Sequence, residues 1–149
     1  MSLRSRFKET FRQRVTEWIL SIGILFWGFM TWVTNGIFEE QHFFSPLLLI
    51  MPQLDWAILA IAVGVLRLIF LFINGAWRPS AHFRMLGCLL AIFIWGTLLI
   101  SSLNLVFMIP VTATYSMILA LELTSLWFAA GDAKIADLLA KSEIGYGHK

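Results

Sequence analysis

The stretch from Trp56 to Trp77, WAILAIAVGVLRLIFLFINGAW, decides the fold. It is apolar over the roughly 20 residues that a helix needs to cross a hydrocarbon layer roughly 30 Å thick, and its single charge, Arg67, lies in the middle. Asn74-Gly75 can close such a helix, because glycine takes the left-handed capping conformation at low cost. Working outward, three more stretches read the same way: residues 18–36, 80–103 and 110–130. Pro79 or Ser80 opens the third and Pro110 the fourth, proline being tolerated in a first helical turn. The composition agrees. Of 149 residues 59% are apolar and 13% charged, against roughly 25% charged in a soluble domain. The expectation is an all-α membrane protein, a four-transmembrane-helix bundle forming one domain over residues 1–149, with second span 56–75 and no room for a soluble catalytic unit.

The segments between the spans set their direction. Arg4, Arg6, Lys8, Arg12 and Arg14 place five of the eleven Lys and Arg residues ahead of the first span. Along this basic arm (residues 1–17), Leu3, Phe7, Phe11 and Val15 recur every four residues, an amphipathic pattern suited to a membrane surface and to anionic lipid as partner. The turn after the second span carries Arg78 and Arg84, whereas the outer loop 39–55 and the turn 104–109 carry no Lys or Arg. By the positive-inside rule the arm, the middle turn and the tail (131–149) belong in the cytoplasm, so both termini are expected there. The run after Trp18 is too long for a cleaved signal core and no small-x-small site follows it, which predicts a retained anchor. Basic patterning stops with the arm, so nucleic acid is not an expected partner.

The outer loop contains Phe43, Phe44 and the run Leu47 to Met51, too short to span, and is expected to lie along the outer interface or to dip in slightly. Gly131 is expected to cap the fourth helix. Beyond it, Ile135, Leu138 and Leu139 mark a short amphipathic segment of the tail.

Arg67 and Glu122 are the charges placed deep in the spans, each about 16–18 Å from the outer surface at helical rise. Either alone would cost on the order of 2.5–3.5 kcal/mol on insertion scales. Equal depth predicts an ion pair between the second and fourth helices. It either clamps those helices together or leaves Glu122 as a proton carrier. Small residues predict packing seams: Ala60 and Gly64 in the second helix, and Thr112, Ser116, Ala120 and Thr124 in the fourth.

His42, His82 and His148 fall in loops or the tail, none at mid-membrane, and Cys88 is the lone cysteine, so neither haem nor metal nor any other cofactor is expected. Trp18, Trp32, Trp56, Trp77 and Trp127 fall near interfaces as an aromatic belt, while Trp27 and Trp95 are deeper and are expected to pack. Phosphate-binding, dinucleotide, nucleophile-elbow and zinc-protease motifs do not occur.

The stretch from Phe72 to Arg84, FINGAWRPSAHFR, resembles the turn in small uncharacterised four-helix membrane proteins encoded by tailed bacteriophages and prophages. That resemblance implies a bacterial inner membrane and a role in infection, and it transfers no activity. Small multidrug transporters resemble the chain in helix count and in owning one membrane carboxylate, but theirs is in the first helix. The expected function is therefore non-enzymatic: association through helices with other membrane proteins or with itself, as an accessory subunit or a phage-encoded envelope factor. A holin-like pore former and a small proton-coupled transporter using Glu122 are the alternatives.

Overall fold

The computed structural model describes residues 14–34, 36–73, 80–103 and 109–146. They form α1 (Val15–Val33), α2 (Ile37–Glu40), a 3-10 turn (His42–Phe44), α3 (Ser45–Leu48), α4 (Gln53–Ile73), α5 (Ser80–Leu103) and α6 (Ile109–Tyr146). The described residues contain no strand. Four of the helices, α1, α4, α5 and α6, are long and apolar enough to cross a membrane.

The long helices pack mainly as two pairs, α1 with α4 and α5 with α6, with α4 and α5 joining the pairs. Glycine sets the distance in the first pair. A Cβ built on Gly28 would stand 2.8 Å from the Ala60 Cβ, and one on Gly64 would stand 2.7 Å from the Leu25 Cβ. The backbones approach as closely as they do because no side chain stands between them. Ala60 and Gly64 thus serve packing within the chain. Ile24, Trp56, Ala60, Val63, Ile94 and Leu98 are buried where the pairs meet.

Between the first two long helices, α2, the 3-10 turn and α3 fold against the ends of the long helices and bury Phe38, Phe43 and Leu47 in the main core. Phe44 stacks on Phe38 with ring centroids 4.5 Å apart. Burial takes Phe38, Phe43 and Leu47 out of solvent, whereas Leu48, Leu49 and Ile50 of the apolar run stay exposed.

Two side chains hold the loop. The Gln53 amide nitrogen donates to the carbonyls of Thr31 (2.7 Å) and Thr34 (2.6 Å), and its oxygen accepts from the Phe38 backbone N–H. Carbonyls at the α1 terminus, which have no intrahelical partner, are satisfied in this way. The Trp56 indole N–H donates to the Leu47 carbonyl at 3.1 Å. Gly36 makes the intervening turn with φ of 77°.

Helix bounds also differ. Helix α4 begins at Gln53, ahead of the expected 56, and α1 is already helical at Val15, within the arm that leads into the span at 18. The largest difference is at the other end: α6 continues through Gly131 to Tyr146, so Gly131 is not a cap. A glycine ends a helix only by turning left-handed. Here its neighbours Ala129, Ala130 and Ala133 favour helix, and the next turn is tied to α5 through Asp132 and Asp137. The Asn74-Gly75 cap lies outside the described residues.

Because α1 and α4 touch at glycine, Gly64→Val is expected to lower the unfolding midpoint in detergent, at the 1–3 kcal/mol scale of overpacking. Gly131→Ala, which meets nothing within 4 Å, should be neutral or raise it, since helical Gly costs about 0.5–1 kcal/mol relative to Ala.

Candidate functional site

Polar chemistry is concentrated at two levels. At the first, Arg67 leaves α4 and passes α5 where residue 87 is glycine. A Cβ there would lie 2.7 Å from the Arg67 Cγ, so Gly87 is the gap the side chain runs through. Beyond it, Arg67 Nη1 donates to Glu122 Oε1 on α6 at 2.6 Å, and Nη2 lies 3.8 Å from the Cys88 Sγ. The side chains are 3% and 0% exposed. The structure thus brings together the two residues whose depths match in the sequence.

The contact is single-pronged, because the second carboxylate oxygen, Oε2, is buried without a hydrogen-bond partner among the described residues. The indole N–H of Trp95 is within reach of that carboxylate but does not close a hydrogen bond of good geometry. Trp95 itself packs between Trp27 and Tyr115, with ring centroids 6.2 and 6.0 Å away.

The second level is at the end of the molecule where α1 and α5 begin. Arg84 on α5 grips Glu17 on α1 with two parallel bonds, Nε to Oε2 at 3.0 Å and Nη2 to Oε1 at 2.7 Å. Its remaining Nη1 donates to Asp132 on α6 at 3.0 Å. Arg14 completes the group, with Nη2 2.8 Å from Asp132 Oδ2 and Nη1 3.6 Å from Glu17 Oε1. Two guanidiniums and two carboxylates balance in charge, and the two-pronged form is the strong geometry for such a pair. Glu122 and Asp132 are separated by about 15 Å along α6.

Sequence reading missed this second cluster. Arg84 was expected as a loop charge and Arg14 as part of the lipid-facing arm; the first is 2% exposed and the second, half-buried, is turned toward α6. The reason is positional. Helix α1 starts a turn earlier and α6 ends four turns later than the apolar runs suggest, so charges at the run edges face one another instead of water. A signal was present in the 3-4-3 spacing of Glu122, Ser125, Ala129 and Asp132, which puts them on one side of a helix if that helix does not stop at Gly131. Arg4, Arg6, Lys8 and Arg12 lie outside the described residues.

Of the small residues along α6, Thr112 is half-buried, whereas Ser116, Ala120 and Thr124 face outward. The Ser116 and Thr124 hydroxyls donate to the carbonyls one turn back, at 2.8 and 2.9 Å, so that face carries no free donor from them. Among the described residues, no three His, Cys, Asp or Glu side chains converge as a metal ion requires.

The arrangement joins helices that are otherwise far apart, α4 to α6 and α1 to α5. Removing one partner of a buried pair leaves the other charge uncompensated, at a cost on the order of 3–5 kcal/mol, while replacing both by apolar groups of similar size can be neutral. Arg67→Met and Glu122→Met are therefore each expected to lower folded yield and the unfolding midpoint in detergent, and the double variant to recover most of the loss. Arg84→Lys should fail to rescue what Arg84→Gln loses, because an ammonium cannot make the two-pronged contact and still reach Asp132. Comparisons with models of protein families, with curated proteins and with solved structures found no match.

Proposed function

We propose that this chain is a multi-pass protein of the bacterial inner membrane, with both termini in the cytoplasm, that works without catalysis by associating through its helices with other membrane proteins. It would act as an accessory subunit or a phage-encoded envelope factor. The observation that carries this reading is the uneven cover of the four long helices. In α1, α4 and α5, 39%, 39% and 44% of the apolar window is buried, but in α6 only 17% is. The buried guanidiniums of Arg67 and Arg84 are committed to carboxylates of the same chain. What α6 offers outward is therefore an apolar and small-residue face, the kind of surface on which transmembrane helices meet.

Glu122 supports a second reading, as the carboxylate of a small proton-coupled transporter, because its Oε2 is buried without a hydrogen-bond partner. A buried intramembrane carboxylate is a common proton site. Against it, Oε1 is held by Arg67 at 2.6 Å, which commits the carboxylate to an ion pair between helices and favours a structural part.

Two measurements test the proposal. Reporter fusions after residues 14 and 146 should both report the cytoplasm. The tagged full chain in mild detergent should migrate well above the mass of one copy plus its micelle, and recovery as a lone monomer would overturn association. Reconstituted vesicles in which Glu122→Gln abolishes pH-gradient-driven uptake would favour the transporter instead.

A further inference from the structure

Between the start of α1 and α6 lies a cavity of about 160 Å³, lined by Arg14, Glu17, Phe128 and Asp132. Two of its charged groups have capacity to spare. Arg14 holds Asp132 through Nη2 at 2.8 Å, but its Nη1 has no hydrogen-bond partner among the described residues and stands 3.6 Å from Glu17 Oε1. The contacts of Asp132 with Arg14 and with Arg84 both fall on Oδ2. Its side chain is 38% exposed, and Oδ1 makes no bond among the described residues. A cationic donor and an anionic acceptor, each incompletely used, thus border one space. We propose that this cavity seats the headgroup of a phospholipid that carries a primary amine, of the phosphatidylethanolamine class. A phosphate oxygen would bond Arg14, the ammonium would bond Asp132, and an acyl chain would run along Phe128. The inference rests on the membrane reading above and not on association with other proteins.

The level of the cavity along α6 is that of a headgroup. A span opening at Pro110 uses its roughly 20 residues by about Ala130, so Phe128 belongs to the last turn in hydrocarbon and Asp132 to the first beyond it. Trp127, exposed beside the exposed ring of Phe128, marks the same level, since tryptophan gathers where acyl chains meet headgroups. An occupant therefore meets charge at one end and an apolar ring at the other. That calls for an amphipathic molecule.

Charge then selects among lipids. Arg14 and Arg84 balance Glu17 and Asp132, so a headgroup of net negative charge would set its phosphate beside two carboxylates with no further cation to offset them. A zwitterion brings both signs and leaves the group neutral. Hydrogen bonding narrows the choice again. A primary ammonium has three N–H donors, as in lysine, and its bond to a carboxylate is of the strong, charge-assisted kind. A choline headgroup, fully methylated on nitrogen, has no N–H to give. Phosphate in turn is an acceptor that a guanidinium fits well, and an unmade bond at a buried donor is costly.

Native mass spectrometry of the full chain in mild detergent tests the site, with phosphatidylethanolamine, phosphatidylcholine and phosphatidylglycerol of the same acyl chains supplied in equal amounts. The ethanolamine lipid should be retained over each of the others by roughly five-fold or more, as one charge-assisted bond would give. Asp132→Asn should erase the preference over phosphatidylcholine. Phe128→Ala, at an exposed ring outside the ionic group, should keep the helical circular dichroism of the parent and still lower retention of the ethanolamine lipid. Equal retention of the three lipids overturns the site, and so does preference for phosphatidylglycerol, the anionic lipid that suits the basic arm. Displacement of the lipid by water-soluble phosphoethanolamine at a similar concentration overturns a lipid as the occupant. None of these outcomes bears on whether the chain associates with other proteins, which its migration in detergent reads separately.

Discussion

The structure depends on how two buried guanidiniums are neutralised. Arg67 and Arg84 project from adjacent helices, and each reaches a carboxylate on a helix that its own backbone does not closely touch, Arg84 holding Asp132 of its packing partner α6 as well. Apolar contact alone is a poor guide to arrangement in a bilayer, since lipid tails are as apolar as leucine and helices gain little by exchanging one for the other. A buried charge is a sharper constraint: one partner at one depth satisfies it, and the alternatives leave it bare. The α1/α4 pair is close-packed at Gly28 and Gly64. The arginines fix how one pair is set against the other.

The two levels of charge divide this work. Arg84, with both Glu17 and Asp132, draws α1, α5 and α6 together at one end in a balanced group. Arg67 and Glu122 act alone at mid-length. The opposite end is closed differently, by the apolar loop and by Gln53, whose amide holds the close of α1 to the start of α2. Each end of the helices thus has its own fastening, one ionic and one formed from neutral hydrogen bonds over buried aromatic rings.

What could be read from the sequence follows from where each residue falls. Arg67 and Glu122 were legible because a charge within a long apolar run has few explanations, and equal depth then names the partner. Arg84 and Asp132 carry the same chemistry but sit where runs end, where a charge ordinarily faces water, so nothing in the local pattern marks them as buried. Gly131 misled for a related reason. Glycine after an apolar run is a sound stop signal locally, and only the tertiary ties of Asp132 and Asp137 override it. The loop at 42–51 was seen to be too short to span, but its fold depends on Gln53 and Trp56 reaching it from a later helix, and hydropathy carries no trace of that. The helix count depended only on run length and survived intact.

The separation of Arg67 from Glu122 has a consequence in time. The pair spans 55 residues of chain. A ribosome adding roughly 5–20 residues per second needs about 3–11 s to cover that distance. Residues emerge in the order in which they are joined, so the guanidinium of α4 leaves the ribosome ahead of its counter-ion by that interval. The arginine must be sheltered by the insertion machinery or held near the surface on its long stem. Biogenesis therefore includes a waiting step whose length is written into the order of the helices, and the last helix to arrive ends it.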